Sequence, residues 1–339
     1  MPLVATRSQV LAFRRRVSAL DERLPRGASS LRRAAWAGLQ DSMPRAALLS
    51  IHARVEGAHP SIWDDRSLVQ VWGPRYSTYV VPARDRAVFT LARLPDDARG
   101  RHRAEEIADQ LEAFLAGRRL GDNEAGRALG VNPNRFRYAA ATGRVLIRWE
   151  GARQPTVWTV PAPDVDPQDA RRELARRYLR VFGPTTPDAF ARWAGISPVQ
   201  ARATCDSLAR SLTPVRTPTG DGWILARDEP QLRGREAAAA PARLLPSGDT
   251  YFLLQGADRE LLVPDASRRG ELWTPRVWPG AVLVAGEIAG TWRRAHGDVT
   301  IAPWRRLSRA ERDAVEAEAA SLPLPGLDGP AAVRWDAAR

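Results

Sequence analysis

Two stretches of the chain repeat the same order of apolar and polar positions. Each begins with a short amphipathic helical pattern, DNEAGRALG in the first copy and PDAFARWAG in the second, and ends at Gly130 or Gly195. Glycine at this position tolerates the left-handed backbone conformation that closes many helices. One apolar residue follows in each copy, and a second helical run then begins. This pattern predicts two helix-turn-helix motifs.

The second helix of each copy opens with the same two signals. Asn132-Pro133 and Ser197-Pro198 place a capping side chain before a proline, which loses no hydrogen bond at the first helical position. Each copy is then followed by two short β-prone runs around a glycine-containing turn, at residues 145–149 and 156–160 in the first copy and at 213–216 and 223–226 in the second. A helix-turn-helix followed by a hairpin is a winged helix, so the sequence predicts two of them in tandem.

The first hundred residues contain the pattern of a third, more diverged copy. Helical periodicity runs through residues 8–20, 30–40 and 45–55, and a hairpin fits residues 67–72 and 76–81 around Gly73-Pro74. A helix at residues 102–115 then bridges to the next unit.

Beyond about residue 240 the pattern changes to short β-prone segments separated by Gly and Pro. They lie at residues 251–254, 260–263, 281–284, 287–289, 291–294 and 299–301. Such closely spaced segments predict a small antiparallel sheet or barrel. A final amphipathic helix is expected at residues 309–321, and the stretch from Pro323 is expected to be a loosely held tail.

The net charge of the chain indicates what kind of partner it binds. The 339 residues carry 51 basic and 39 acidic side chains, for a formal net charge of +12, and every basic residue is arginine. Arginine in place of lysine is typical of high-GC genomes, but the excess over acidic residues is not explained by that exchange. The excess favours an acidic partner, with nucleic acid the first candidate.

Composition also argues against several classes of protein. Cys205 is the one cysteine and cannot form an internal disulfide, and the four histidines lack the spacing of metal ligands. No run of 18 apolar residues is present, and the amino-terminal segment does not resemble a secretory signal. We therefore expect a cytoplasmic protein that needs neither a metal nor an organic cofactor.

Candidate DNA contacts follow from the winged-helix prediction, since such domains place the second helix in the major groove and the wing against the backbone. The candidates are the arginines on these elements, together with Arg45 near the start of a predicted helix: Arg45, Arg75, Arg135, Arg137, Arg148, Arg153, Arg202 and Arg216. The alternative for any one of them is a solvated surface arginine without a ligand.

Three segments together resemble the AlkZ/YcaQ family of winged-helix DNA glycosylases. They are GLQDSMPRAAL at residues 38–48, RYL with FGPTTPDAF and WAG between residues 177 and 195, and LLPSGD at residues 244–249 with residues 282–285 and GTWR at residues 290–293. The resemblance implies an α+β fold of three tandem winged helices followed by a small carboxy-terminal β-barrel, C-shaped around double-stranded DNA. It also implies excision of alkylated purines and, in some members, the unhooking of interstrand crosslinks.

With that fold, the chain is expected to divide into five parts. These are winged helix 1 with the active-site segment at residues 1–100, winged helix 2 at 101–165, winged helix 3 at 166–235, the β-barrel at 240–305, and a helix and tail at 306–339. A C-shaped body around DNA works as a monomer, which is the expected state.

The resemblance also indicates the catalytic segment, which this chain matches in part. The family's pair is Gln, one apolar residue, then Gln or Asp; Gln40 matches the first member, Asp41 stands at the apolar position and Ser42 replaces the second member. A carboxylate or an oriented water stabilises the positive charge that develops on the sugar during base excision. We take Gln40, Asp41 and Ser42 as the candidate catalytic residues. The alternative for Asp41 is a cap on the helix that starts near Pro44.

Two functions from different classes remain open at this point. The first is a monofunctional DNA glycosylase acting on alkylated or bulky N7-adducted purines. The second is a non-catalytic winged-helix DNA-binding protein, such as a lesion sensor or regulator, which the altered catalytic pair favours. The hairpin at residues 71–79 also departs from the family pattern, which is consistent with a different substrate or with lost activity. A protein-interaction scaffold is a weaker third possibility.

Overall fold

Helices and short strands alternate along the chain in a mixed α+β arrangement. The structure is a computed structural model that describes residues 2–41, 43, 45–151, 154–234, 238–254, 256–295, 297–324, 326 and 329–337. Its helices are α1 (Arg7–Val17), α2 (Ala28–Ala34), α3 (Ala46–His52), α4 (Arg86–Thr90), α5 (Ala98–Leu115), α6 (Asp122–Leu129), α7 (Phe136–Ala139), α8 (Pro167–Phe182), α9 (Pro187–Ala194), α10 (Pro198–Ser207), α11 (Glu229–Arg233), α12 (Asp258–Leu262), α13 (Ala266–Leu272) and α14 (Arg309–Ala320). Among the described residues, none of these helices is long and apolar enough to cross a membrane.

In the part of the chain that the structure describes, the strands form three sheets. They are β1 (Leu3–Val4), β2 (Leu39–Gln40), β3 (Leu68–Trp72), β4 (Thr78–Pro82), β5 (Leu120–Gly121), β6 (Val145–Arg148), β7 (Thr156–Thr159), β8 (Leu212–Thr217), β9 (Gly220–Leu225), β10 (Ala242–Leu245), β11 (Gly280–Val284), β12 (Glu287–Ala295), β13 (Asp298–Pro303) and β14 (Ala332–Trp335). A six-stranded sheet has the order β2-β4-β3-β6-β7-β5, and a three-stranded sheet has the order β1-β8-β9. The six-stranded sheet crosses the boundary predicted at residue 100, because β3 pairs with β6 through Gln70 and Ile147.

The repeat seen in the sequence has the local structure that it predicted. α6 and α9 end at Gly130 and Gly195, with φ angles of 65° and 72°. The side chain of Asn132 accepts a hydrogen bond from the backbone of Asn134, and Ser197 caps α10 in the same way. The second helix differs between the copies, since the first has a 3-10 turn followed by α7 where the second has α10. Antiparallel strand pairs, β6–β7 and β8–β9, follow each copy.

The first unit departs from its predicted elements at one position that matters for function. A helix was expected over residues 30–40, but α2 ends at Ala34 and β2 begins at Leu39. Gly38 separates them with a φ angle of 79°, and a Cβ at this position would lie 2.8 Å from the ring of Phe89. The backbone therefore turns here and passes close to the core, which places Gln40 on a strand rather than on a helix.

The carboxy-terminal region forms a five-stranded sheet of order β10-β11-β12-β13-β14. Two predicted strands are wrong: residues 251–254 form a turn, and residues 260–263 fall mostly within α12. Both runs are buried, and a short buried apolar run fits a helix or turn as well as a strand. The predicted loose tail is also wrong in part, since β14 pairs with β13. Among the described residues no pairing joins β14 to β10, and closure into a barrel stays a prediction.

Buried arginines connect the first unit to the third. Arg177, from the second family-like segment, donates hydrogen bonds to the backbone oxygen of Trp36 and to Asp85, both at 2.9 Å. Arg14 on α1 donates to the backbone oxygens of Phe182 and Gly183 at the end of α8. These contacts fix α8 against the amino-terminal unit that carries Gln40.

Candidate active site

β2 places Gln40 at the edge of the six-stranded sheet, paired with Tyr79 on β4. The pairing continues for one more residue, because the backbone N–H of Asp41 donates to the carbonyl of Thr78 at 2.8 Å. Nη2 of Arg75 donates a hydrogen bond to Oε1 of Gln40 at 2.9 Å. A guanidinium can only donate, so this contact fixes which end of the Gln40 amide carries the oxygen. Arg75 therefore orients the side chain that is the first candidate for catalysis.

Asp41 points into the protein and caps α3. The residue is only 1% exposed, and its Oδ1 accepts a hydrogen bond from the backbone N–H of Ala47 at 2.9 Å. A carboxylate at this place satisfies a backbone group that the helix leaves unpaired and interacts favourably with the helix dipole. This geometry is the one expected from the capping interpretation.

A second hydrogen bond holds the other oxygen of Asp41. Nε2 of Gln70, on β3, donates to Oδ2 of Asp41 at 2.7 Å. The same amide bridges to the backbone of Trp149, where its oxygen accepts from the N–H at 2.7 Å. Sequence reasoning missed Gln70; the available signal was a polar residue in the middle of the apolar strand LVQVW.

Burial dominates the electrostatics of Asp41. Removal from water raises the pKa of the Asp41 carboxyl to about 7, while the hydrogen bonds from Ala47 and Gln70 and the nearby charges of Arg45 and Arg148 act in the opposite direction. The carboxyl therefore titrates near neutral pH at a place where both of its oxygens are already bonded.

The third family-like segment packs against Gln40. A Cβ on Gly248 would lie 3.5 Å from the side chain of Gln40, and the φ angle of this glycine is 74°. The next residue, Asp249, is buried and binds Arg54 through both oxygens at 2.7 Å, and it also accepts a hydrogen bond from Ser50 at 2.6 Å. Ser50 on α3 and Arg54, two residues beyond its end, thus hold the loop at residues 246–249 in place beside the candidate catalytic side chain.

The turn between β3 and β4 is strained. Arg75 and Tyr76 both adopt positive φ angles, of 54° and 58°, which cost energy for residues that carry a Cβ. The ring of Tyr76 lies over the guanidinium of Arg93 at 4.2 Å and meets the ring of Tyr138 edge-on at 4.9 Å. Arg93 is buried and supports this turn through its contact with Tyr76. Sequence reasoning did not identify this residue.

Two clefts are lined by chain neighbours of residues that contact Gln40. The larger, of about 570 Å³, is lined by the β3–β4 turn and by the helix-turn-helix of the second unit, through Trp72, Tyr76, Ser77, Thr78, Asp122, Asn123, Asn132, Pro133, Asn134, Arg137, Trp149, Gln154 and Pro155. The smaller, of about 310 Å³, is lined by Met43, Ala46, Leu49, Pro246, Ser247, Val277, Trp278, Pro279, Gly280, Trp292, Arg293 and Arg294. Gln40 lies close to both linings. It contacts Arg75, which precedes the lining residue Tyr76, and Gly248, which follows the lining residue Ser247.

The predicted DNA-contacting arginines fall into two groups. Arg135, Arg137, Arg202 and Arg216 are exposed, and the last two pair with Asp188 and Asp221. Arg45 and Arg148 are partly buried and lie over the ring of Trp63 at 4.4 and 4.9 Å, and Arg75 binds Gln40. Arg153 and the candidate catalytic residue Ser42 lie outside the described residues. The structure therefore brings Arg75, Gln40 and Asp41 together, whereas the exposed arginines are distributed over the second and third units.

Comparison with known proteins agrees with the resemblance inferred from the sequence. The profile of the family described as DNA glycosylase AlkZ-like matches residues 31–323, and the chain belongs to this family. The interstrand DNA cross-link repair glycosylase of Streptomyces sahachiroi is 24% identical over 250 residues, which span 64% of this chain and 65% of that protein.

The solved structure of Streptomyces sahachiroi DNA glycosylase AlkZ has the same overall fold. It superposes with a TM-score of 0.77 at 19% sequence identity and covers 98% of this chain and 100% of that one. At this level of identity the match establishes the mixed α+β fold, including its several sheets, and carries no residue roles with it.

Proposed function

We propose that this protein is a monofunctional DNA glycosylase that hydrolyses the N-glycosidic bond of alkylated or bulky N7-adducted purines and unhooks interstrand crosslinks made through such adducts. The observation that carries the proposal is the placement of Gln40. In a chain of the AlkZ-like family, Arg75 orients this side chain at a sheet edge, next to residues that adjoin two clefts.

The protein does not need to activate the leaving group strongly, because N7 alkylation makes the purine cationic and the base then leaves as a neutral molecule. The remaining requirement is to position a water and to stabilise positive charge on the sugar. We assign the positioning of the water or the lesion to Gln40 and a supporting role in water binding to Ser42. Asp41 is a positioning residue in this proposal, since both of its oxygens are bonded inside the protein and it holds the segment against α3.

The larger cleft fits the damaged nucleotide. Enzymes that act on a base in a duplex extrude it into a pocket and read it partly by stacking. Trp72, Tyr76 and Trp149 line this cleft beside Thr78, whose carbonyl bonds the backbone of Asp41. Aromatic faces attract cations, so such a lining suits an N7-alkylated purine better than a normal one. The cleft volume of about 570 Å³ lies in the range of small-molecule sites.

In this proposal, the remainder of the chain binds duplex DNA. We assign phosphate contacts to Arg45, Arg75, Arg135, Arg137, Arg148, Arg153, Arg202 and Arg216, with the net charge of +12 supplying long-range attraction. Three winged helices and a carboxy-terminal barrel would form a C-shaped body around the duplex. We expect a monomer in the cytoplasm, associated with the nucleoid, that works without a metal or organic cofactor.

Single-turnover base release tests the proposal. Duplex DNA with one N7-methylguanine or one bulky N7 adduct is incubated with excess protein, and alkali then cleaves abasic sites. We expect release by the wild type and by Gln168→Ala, a matched change on the exposed first turn of α8, and a loss of at least about 100-fold in Gln40→Ala with unchanged DNA affinity.

Base release that is undiminished in Gln40→Ala would refute the catalytic role of Gln40. Tight binding to the same duplexes with no release from any adduct by the wild type would identify a lesion-binding protein and refute the glycosylase proposal.

A further inference from the structure

We propose that helix α9, which belongs to the third predicted winged helix, positions Gln40 for catalysis by pressing its carboxy-terminal Gly195 against the backbone of Arg75. Gly195 and Arg75 are thus positioning residues for the reaction. This inference rests on the proposed function for its kinetic consequence, but the contact itself can be tested without any activity.

The contact is close and involves backbone on both sides. An ideal Cβ placed on Gly195 would lie 3.0 Å from both Cα and N of Arg75. Backbone atoms cannot move aside as the end of a flexible side chain can, so the β3–β4 turn and the end of α9 must keep their present spacing. Arg75 then reaches Gln40 through its guanidinium, at 2.9 Å.

A second contact from α9 reaches the other neighbour of Gln40. Tyr79, which pairs with Gln40 across the sheet, meets the ring of Trp193 edge-on with 6.4 Å between the ring centroids. Both rings are buried. α9 therefore packs against the cross-strand partner of Gln40 as well as against the turn that supplies its hydrogen-bond donor.

The strain of the turn explains why external support is needed. Arg75 and Tyr76 are consecutive non-glycine residues with positive φ angles, and such conformations persist only where surrounding structure fixes them. Tyr76 is held from one side by Arg93, and Arg75 is held from the other by the end of α9. Without the second support the turn can relax toward ordinary φ angles, and the guanidinium would then leave Gln40.

The internal repeat supplies a matched control. Gly130 closes α6 as Gly195 closes α9, with φ angles of 65° and 72°. A Cβ on Gly130 would meet nothing within 4 Å. Alanine strains the left-handed backbone to a similar extent at either position, so the two substitutions differ in the contact with Arg75 and not in local helix closure.

The experiment compares Gly195→Ala with Gly130→Ala in the full chain. In single-turnover release of N7-methylguanine at saturating protein, we expect about a tenfold slower rate for Gly195→Ala and a change within twofold for Gly130→Ala. The amide side-chain signal of Gln40 in selectively ¹⁵N-glutamine-labelled protein, assigned by its loss in Gln40→Ala, should shift in Gly195→Ala and stay in place in Gly130→Ala.

A double-mutant cycle then tests whether Gly195 acts on Gln40 through the side chain of Arg75. In an Arg75→Ala background, Gly195→Ala should have no further effect on rate, because the guanidinium that passes the backbone shift on to Gln40 is gone. Equal losses in the two glycine variants, or an unmoved Gln40 signal in Gly195→Ala, would overturn the inference. If the wild type releases no base, the glycosylase proposal fails, and the NMR comparison still decides the positioning by itself.

Asparagine provides a second pair of variants in case alanine at residue 195 prevents folding. Asn tolerates the left-handed region better than alanine while still adding a Cβ. Gly195→Asn and Gly130→Asn should therefore reproduce the same contrast in the Gln40 signal, and equal signals in the two would count against the contact.

Discussion

Asp249 binds Arg54 through both carboxylate oxygens at 2.7 Å, and both side chains are almost fully buried. The pair joins the loop next to Gln40 to the chain two residues beyond helix α3, and the same carboxylate accepts a hydrogen bond from Ser50 on α3. Through Arg54 and Ser50, this carboxylate connects the third family-like segment to α3, whose first residues belong to the first segment, although the two segments are far apart in the sequence.

Breaking this pair should destabilise the protein strongly. Asp249→Asn keeps the shape but leaves the guanidinium of Arg54 buried without its counter-charge, which costs about 3 kcal/mol of unfolding free energy. Urea unfolding followed by tryptophan fluorescence measures it. Asp221→Asn, which breaks the exposed pair with Arg216, is the control and should leave the midpoint nearly unchanged. Equal midpoints for Asp249→Asn and the wild type would contradict the prediction.

The buried carboxyl of Asp41 should make stability depend on pH. Its pKa is about 7 in the folded protein against an ordinary 3.8, so the folded state holds the proton more tightly than the unfolded state does. By linkage, the contribution of Asp41 to the unfolding free energy falls as pH rises from about 4 to about 7 and is then level. Asp41→Asn removes this contribution, and urea unfolding at several pH values should show a smaller decline. Parallel pH profiles for the two proteins would refute the elevated pKa.

The strained turn predicts an unusual order of stabilities at residue 75. Arg75→Gly and Arg75→Ala both remove the hydrogen bond to Gln40, but only glycine adopts the φ angle of 54° without strain. We expect Arg75→Gly to be more stable than Arg75→Ala by about 1 kcal/mol, with base release equally slow in both. Thermal unfolding measures the difference, and an alanine variant as stable as the glycine variant would show that the turn is not strained.

The exposed arginines should control how DNA affinity depends on salt. If Arg137 contacts a phosphate, Arg137→Ala should lower the slope of log K against log salt by about 0.9. Fluorescence anisotropy with an undamaged duplex measures the slope. Arg334→Ala makes the same change of charge on β14, where Arg334 pairs with Asp298, and serves as the control. Identical slopes for wild type and Arg137→Ala would remove this residue from the proposed DNA contacts.

The sequence predicted the parts of the fold that short-range interactions decide. The closing glycines at residues 130 and 195, together with the caps Asn132 and Ser197, act through hydrogen bonds within a few residues, so each copy of the repeat could be recognised from local spacing alone. The β-prone runs at residues 251–254 and 260–263 had no such signal. Their burial is decided by distant parts of the chain, and an apolar run by itself did not distinguish strand from helix.

The candidate site shows the same division between features set by adjacent residues and features set by tertiary contacts. The sequence by itself determined the family, the position of Gln40 in its motif and the capping alternative for Asp41, because each is carried by adjacent residues. Only the tertiary structure decided that Gln70 binds Asp41, that Gly248 and Arg75 hold Gln40, and that Gly195 presses on Arg75. These contacts join residues at least 29 positions apart in the sequence, and the close approach of such distant chain segments follows from the packing of the whole core, which no local pattern records.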